Sequence, residues 1–263
     1  MRTISTVSFF FFLIIYQFIK RFKKKPQSPL PVIIGHRGAA GYCPENTFAS
    51  FHYALKLGVD YLEIDIQMTK DGELVVIHDP IVNRTTNGKG KVKEFTLAEI
   101  QALDAGSWFH PKFHNEKIPS LQEFLDEFAG RVGLILELKK PSLYPGIEEK
   151  VGNELLRRGL VSGEQVIVQS FDCNSLKRFH SMIPSIQIGV LVKKISYKEL
   201  FAISSYASYI NLKVTLVNKG LVIRLHQLGL KTFIWTVRNK KEAELLKYYG
   251  VDGIITDYPD INN

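Results

Sequence analysis

The chain has 263 residues, of which 45% are apolar and 23% charged, so it is large enough for one globular domain and unlike a disordered or collagen-like protein. The net charge is +8, but six basic residues lie before residue 31, where there is no acidic residue, and the rest of the chain is nearly neutral. A nucleic-acid-binding protein is expected to spread its basic residues over a domain face, so this distribution predicts no nucleic-acid partner. An oligomeric state is not predicted.

The first predicted element is an apolar run, ISTVSFFFFLIIYQFI, at residues 4–19. It is somewhat shorter than the roughly 20 residues of a membrane span and also fits a signal peptide. The basic sequence KRFKKK follows it in place of the small residues of a cleavage site, so we expect an uncleaved single-pass membrane anchor within residues 1–25. Because basic flanks stay in the cytoplasm, the following domain is expected on that side, after a linker at residues 26–31.

From residue 32 to the end, short apolar segments rich in β-branched residues alternate with amphipathic ones. The apolar segments are PVIIGH, YLEIDI, GLILELK, QVIVQSF, IQIGVLV, YINLKV, KTFIWTV and DGIITD. Strand and helix in alternation predict parallel strands with crossover helices. Eight such units favour a (β/α)₈ barrel of the TIM type for residues 32–263, with an open doubly wound sheet as the alternative.

One long stretch, residues 80–130, separates the second and third predicted strands. It contains two helical patterns, TLAEIQALDAG and SLQEFLDEFAG, joined by irregular sequence. We expect this insertion to form a small cap on the barrel.

Polar residues stand at the predicted strand ends, which is where the active sites of such barrels lie. They are His36 and Arg37 after the first strand, Glu63 and Asp65 in the second, Glu137 and Lys139 in the third, and Gln169 in the fourth. Residues two apart in a strand project from the same face, so each pair in the second and third strands points the same way. The pattern predicts one polar rim.

A hairpin is expected to bring His78 to this rim. Asp71-Gly72 is a strong signal for a two-residue turn, and a turn at that position pairs Lys70 with Glu73. Continued outward, the same register places His78 opposite Asp65, on one face of the hairpin.

Glu63, Asp65 and Glu137 form the predicted metal site. Three carboxylates without a nearby thiolate are hard oxygen ligands, which suit Mg²⁺ or Ca²⁺ better than zinc. Close carboxylates repel one another unless a cation offsets their charge. The sequence therefore predicts a divalent cation, Ca²⁺ or Mg²⁺, as the cofactor.

The motifs GHRGAAGYCPENT, EIDIQMTKDGELVVIHD and LELK resemble those of the glycerophosphodiester phosphodiesterase family, and the resemblance covers residues 32–259. It implies a distorted (β/α)₈ barrel with a small inserted domain. It also implies that His36 is the catalytic base and His78 the acid, and that Glu63, Asp65 and Glu137 are the metal ligands. Substrate-binding roles follow from the same resemblance for Arg37 and Lys139 at the phosphate and for Trp235 in the pocket wall.

Three functions are consistent with these residues. The first is hydrolysis of glycerophosphodiesters to sn-glycerol 3-phosphate and an alcohol, either through a cyclic phosphate or by direct attack of water. The second is a lysophospholipase D activity on membrane lysophospholipids, and the third is a catalytically silent, membrane-tethered phosphodiester-binding protein. Intact His36 and His78 argue against the third, and the shape of the pocket is expected to separate the first two.

Overall fold

The computed structural model describes residues 30–194 and 197–261. Its strands follow the predicted apolar segments, with one additional short strand, β3. They are β1 (Val32–His36), β2 (Tyr61–Met68), β3 (Leu74–Val76), β4 (Gly133–Leu138), β5 (Val166–Ser170), β6 (Gln187–Val192), β7 (Tyr209–Lys213), β8 (Lys231–Val237) and β9 (Gly253–Thr256).

Eight of these strands close into a parallel barrel. Each strand pairs with the next one around the sheet, and β1 closes the ring because it pairs in parallel with both β2 and β9. Only β3 is antiparallel, as the hairpin partner of β2 outside the ring. The prediction of a (β/α)₈ barrel is confirmed, and the open doubly wound sheet is excluded.

Helices follow most barrel strands and form the outer layer. They are α1 (Phe48–Lys56), α2 (Leu97–Gln101), α3 (Leu121–Phe128), α4 (Ile147–Arg157), α5 (Cys173–Met182), α6 (Tyr197–Ser204), α7 (Lys219–Gln227) and α8 (Lys240–Tyr249). Several begin at a side chain that caps the first turn, such as Ser120 before α3 and Asp172 before α5. Except in α2, their apolar faces bury against the outside of the barrel in one large core.

A layer of apolar side chains fills the barrel interior. Its fully enclosed members are Ile34, Ile135, Ile167, Tyr209, Phe233 and Ile255, all at most 2% exposed. Side chains alternate along a strand, so the residue two positions later points into the barrel one layer higher. For Ile34, Ile135 and Ile167 that next residue is His36, Glu137 and Gln169, which places the polar rim directly above the apolar layer.

Residues 80–130, the stretch predicted to form a cap, contribute to two separate hydrophobic cores. Residues between β3 and α3, including Val82, Val92 and Ile100, form a small hydrophobic cluster of their own. The helix α3 instead packs in the main core, where the Phe124 ring lies 4.9 Å from that of Phe51 in α1. α3 is therefore part of the barrel's outer layer. A helical sequence pattern alone does not distinguish a helix of that layer from a helix of a cap.

The predicted location at a membrane is corrected. Across residues 30–194 and 197–261, no helix combines the length and the apolar character needed to cross a bilayer. The predicted anchor, residues 1–25, lies outside the described residues. The structure gives the anchor no support, and we withdraw the prediction.

Candidate active site

The polar side chains at the strand ends surround a cavity of about 130 Å³, here called the inner compartment. Seven of the sequence-predicted residues line it: His36, Arg37, Glu63, His78, Glu137, Lys139 and Trp235. Asp65, the eighth, is 1% exposed and lies beneath Arg37 and Lys139. The barrel therefore gathers all eight at one rim.

Three buried carboxylates form the floor of the site. Oxygen atoms of Glu63, Asp65 and Glu137 lie within 4.8 Å of one another. Burial raises the pKa of Glu63 well above its ordinary value, with the neighbouring carboxylates acting in the same direction, and burial raises the pKa of Glu137 to about 7. The cluster is thus costly to ionise by itself and suits a divalent cation.

Other contacts orient the oxygens of the cluster and leave one of them without a hydrogen bond. The Arg37 backbone N–H donates to Glu63 Oε2 (3.0 Å), and the Asn46 side-chain amide donates to Asp65 Oδ2 (2.8 Å). Gln169 donates to Glu63 Oε1 at 3.2 Å. Asp65 Oδ1 is buried without a hydrogen-bond partner in the part of the chain that is described. An orphaned carboxylate oxygen within an all-oxygen donor set fits a hard cation such as Ca²⁺ or Mg²⁺.

Two cationic side chains balance this negative charge. Arg37 Nε lies 3.2 Å from Asp65 Oδ2, while Lys139 Nζ lies 2.6 Å from Glu137 Oε1 and 3.5 Å from Asp65 Oδ1. Although burial acts to raise the pKa of Asp65, Arg37 and Lys139 hold it below its ordinary value. Both cations line the inner compartment, where they face any anion that enters it.

His36 is held by a carboxylate from the last strand. Its Nδ1 lies 2.6 Å from Asp257 Oδ1, and Arg238 Nε donates to Asp257 Oδ2 at 2.6 Å. An ionised carboxylate only accepts hydrogen bonds, so the Nδ1 atom carries the proton and the Nε2 atom of the neutral ring is left as an acceptor. Burial lowers the pKa of His36 below its ordinary value, and the Arg37 charge adds to this although Asp257 opposes it. His36 is thus suited to accept a proton.

The hairpin register predicted for His78 is wrong by one residue. Gln67 pairs with Val75 rather than Val76, and Ile77 rather than His78 lies opposite Asp65, its N–H donating to the Asp65 carbonyl at 2.9 Å. The turn is one residue longer than predicted because the Thr69 hydroxyl donates to Asp71 Oδ1 and accepts from the Glu73 N–H. A two-residue turn has no place for these contacts.

His78 nevertheless reaches the site, from the segment after β3. The Gln67 side-chain amide donates to the carbonyls of both Ile77 and His78, at 3.0 and 2.8 Å, and the Tyr144 hydroxyl donates to Gln67 Oε1. These buried hydrogen bonds fix the backbone from which the imidazole projects. The hydrogen bonds of the Gln67 side chain, rather than strand pairing, therefore position His78.

A chain of charges connects His78 to Arg37. His78 Nδ1 lies 2.6 Å from Asp79 Oδ1, and Arg84 Nε donates to Asp79 Oδ2 at 2.7 Å. Arg84 also donates twice to Glu45, at 2.8 Å each, and Glu45 accepts from Arg37 at 2.7 Å. Both histidines therefore have the same arrangement, in which a carboxylate binds Nδ1 and an arginine binds the carboxylate.

Comparisons with known proteins agree with this geometry. Residues 36–261 match the sequence profile described as the "Glycerophosphoryl diester phosphodiesterase family". The chain belongs to this family.

Individual relatives give the extent of the likeness. A "Glycerophosphodiester phosphodiesterase" of Caldanaerobacter subterraneus is 42% identical over 237 residues, covering 87% of this chain and 95% of the relative. One of Bacillus subtilis is 38% identical over 245 residues, covering 87% and 84%. The solved structure of an Oleispira antarctica phosphodiesterase "in complex with the product sn-glycerol-3-phosphate" has a TM-score of 0.80 and 31% identity, covering 88% of this chain and 94% of that one. The chain is accordingly an enzyme, a glycerophosphodiester phosphodiesterase.

Within this phosphodiesterase, Trp235 both packs in the barrel and lines the pocket. Its ring is partly buried against the apolar layer of the barrel, and its indole N–H donates to the Asn211 carbonyl at 3.0 Å. It also lines the inner compartment and meets the Phe171 ring edge-on, with 5.6 Å between ring centroids.

Sequence reasoning missed the partners of the histidines. Asp257 stands directly after the last barrel strand, so the rule that directed attention to the other strand ends also applies to it. Asp79 follows His78 in the quoted motif. Glu45 and Asn46 belong to the quoted motif GHRGAAGYCPENT, but no local pattern indicates which side chains they contact. Nothing in the sequence indicates that Arg84, within the inserted stretch, contacts Asp79 and Glu45.

Asp257→Asn is expected to lower kcat by roughly 10- to 10³-fold, because the amide no longer fixes the proton on His36 Nδ1. Asp257 raises the pKa of His36 against burial, so its removal should also move the acid limb of the pH profile of kcat/KM to lower pH. The measurement is a full pH–rate profile.

A matched control is Asp252→Asn. Asp252 also accepts from a histidine, His226, at 2.8 Å, but it lies before β9 rather than after it, at the far end of the barrel. Equal losses in the two variants, with no change in the pH profile, would show that Asp257 matters only for folding.

Proposed function

We propose that this phosphodiesterase hydrolyses glycerophosphodiesters to sn-glycerol 3-phosphate and an alcohol, with His36 as base, His78 as acid, and Glu63, Asp65 and Glu137 holding Ca²⁺ or Mg²⁺. One observation carries the proposal. Two imidazoles, each with its Nδ1 bound to a carboxylate, line the same 130 Å³ compartment as the carboxylate cluster. The product named for the Oleispira antarctica structure supports the same products here.

The phosphodiester is an anion, and its charge must be balanced before a nucleophile can approach. Arg37 and Lys139 line the inner compartment and supply two positive charges there. A divalent cation bound by the three carboxylates would polarise the phosphoryl oxygens. The remaining chemistry consists of two proton transfers.

In the first transfer, His36 Nε2 accepts the proton of the attacking hydroxyl while that oxygen forms a bond to phosphorus. In the second, His78 donates a proton to the alcohol oxygen as its bond to phosphorus breaks. The attacking group is either a hydroxyl of the substrate glycerol or a water molecule. Attack by the glycerol hydroxyl gives a cyclic phosphate, which water then opens with the acid and base roles of the two histidines reversed. The same two histidines serve both routes.

Compartment size favours a small diester over a lysophospholipid. His36 lines the inner compartment, whose volume is about 130 Å³, and not the adjoining space of about 820 Å³. The inner compartment suits a glycerol unit and is too small for an acyl chain attached to the glycerol. A silent binding protein is disfavoured because both histidines have the partners expected of proton-transfer groups.

The proposal is tested with the purified full-length chain on glycerophosphocholine and lysophosphatidylcholine, with Mg²⁺ or Ca²⁺ added after dialysis. Phosphorus NMR should show sn-glycerol 3-phosphate from the first substrate and at most slow turnover of the second, and a cyclic glycerol phosphate resonance would identify the cyclic route. Release of phosphocholine, or faster cleavage of the lysophospholipid, would contradict the proposal.

A further inference from the structure

A second cavity, here called the outer cavity, opens from the inner compartment. Its volume is about 820 Å³, and it extends over the segments that follow β4, β5 and β6. The two spaces share His78, Glu137, Lys139, Phe171 and Trp235, whereas His36 lines only the inner one. Because His36 is the proposed base and His78 the proposed acid, the leaving alcohol belongs on the His78 side. The outer cavity is therefore the space available to that alcohol.

Positive charges without an ion-pair partner stand on two walls of the outer cavity. Lys140 follows β4 and Lys193 follows β6, and both side chains are exposed. The ion pairs found among residues 30–194 and 197–261 include neither of them. Lys139, which also lines this cavity, is paired with Glu137.

The acidic residues of the same walls already have partners. Asp79 is bound by His78 and Arg84, at 2.6 and 2.7 Å. Asp172 caps α5, accepting from the N–H groups of Asn174 and Ser175 at 2.9 and 3.0 Å. Glu137 belongs to the carboxylate cluster. Asp172 keeps its negative charge, because N–H groups are neutral, but the two lysines without an ion pair in the described part of the chain outnumber it, so the balance of charge left for a ligand in the outer cavity is positive.

The aromatic side of the outer cavity disfavours an alcohol that carries a positive charge. A quaternary ammonium group is usually bound over the face of an aromatic ring. Phe171 is the most exposed ring of the outer cavity, at 38%, but Lys193 Nζ already lies over it, 4.8 Å from its centroid. A choline group placed there would meet an ammonium of the same charge.

We propose that the outer cavity selects glycerophosphodiesters whose leaving alcohol carries an anionic group of its own, a phosphate or a carboxylate, bound by Lys140 and Lys193. This inference rests on the proposed function, since it needs the alcohol to leave on the His78 side. It adds a substrate class, with choline and ethanolamine diesters as the disfavoured members.

The test compares glycerophosphoinositol with glycerophosphoinositol 4-phosphate, two substrates that differ only in one phosphate on the alcohol. The full-length enzyme should have a kcat/KM about three- to tenfold higher for the phosphorylated substrate at low salt, the range expected of solvent-screened charge pairs, and the preference should shrink at high salt. Lys140→Gln and Lys193→Gln should each reduce the preference, and the double variant should abolish it. Glycerophosphocholine should be the poorest of the three substrates.

Lys194→Gln is the matched control. Lys194 adjoins Lys193 in sequence, and both line a cavity between α5 and α6, but only Lys193 of the two also lines the outer cavity. This variant should keep the preference of the unmodified enzyme. Turnover of both inositol substrates with equal kcat/KM, or an equal effect of all three lysine substitutions, would overturn the inference alone. Absence of sn-glycerol 3-phosphate from either substrate would overturn the proposed function, and the inference with it.

Discussion

His78→Ala is expected to lower kcat on the order of 10²- to 10⁴-fold for a glycerophosphodiester whose leaving group is an ordinary alcohol, the range for loss of a positioned general acid. The alkoxide of such an alcohol leaves poorly without a proton. A nitrophenyl phosphodiester has a stable leaving anion and needs far less protonation, so the loss on that substrate should be much smaller. The measurement is the ratio of the two losses, with KM expected to change little.

The control is His52→Ala, which removes a half-exposed imidazole from α1, away from the site. It should leave both rates unchanged. If a folded His78→Ala variant is equally impaired on both substrates, His78 does not act as the acid. Burial lowers the pKa of His78 and the Asp65 charge opposes this, so His78 would then support the site through its interaction with that carboxylate.

Removal of divalent cations by exhaustive chelation should lower activity by about 10³-fold or more, because the cation supplies several kcal/mol of charge stabilisation. Added Mg²⁺ or Ca²⁺ should restore it. A second measurement does not depend on turnover: either cation should raise the thermal unfolding temperature of the dialysed protein, since it binds the folded cluster and not the unfolded chain. Activity that survives chelation would contradict the metal site.

The carboxylate cluster also predicts how pH affects the metal-free protein. The pKa of Glu137 is about 7 in the folded protein and near 4.5 when unfolded, so its contribution to stability is present below pH 4.5 and is lost as pH rises through 7. Glu63→Gln removes one of the repelling charges. Near pH 8, the metal-free variant should be at least as stable as the metal-free unmodified protein. An added cation should stabilise the variant much less than it stabilises the unmodified protein. Glu149→Gln, at an exposed position in α4, should retain that stabilisation.

Much of the fold could be predicted because parallel barrel strands are buried on both sides and read as continuous apolar runs. The carboxylate cluster could be predicted because side chains alternate along a strand, which places Glu63 and Asp65 on one face. Such local periodicities leave packing partners undetermined. α3 therefore could not be assigned to the barrel layer rather than to the cap.

Two features of the site could not be predicted from the sequence: the register of the hairpin and the partners of the histidines. The turn has three residues rather than two because the Thr69 hydroxyl bonds to both Asp71 and Glu73, and the longer turn shifts the register by one. Asp257 lies 221 residues from His36 in the chain, and Arg84 lies 39 residues from Glu45. Pairings at such distances follow from closure of the barrel and from the fold of the inserted stretch, which no local pattern encodes.

The apolar layer beneath the site has a consequence for the order of product release. Ile34, Ile135 and Ile167 close the barrel below the rim, so the contents of the inner compartment must leave on the rim side, where the outer cavity adjoins it. With the alcohol in the outer cavity, as we propose, it lies nearer to solvent than the glycerol phosphate, and we expect it to depart first. Such an ordered release predicts that sn-glycerol 3-phosphate competes directly with substrate for the free enzyme, whereas the alcohol inhibits noncompetitively by rebinding to the enzyme that still holds the phosphate.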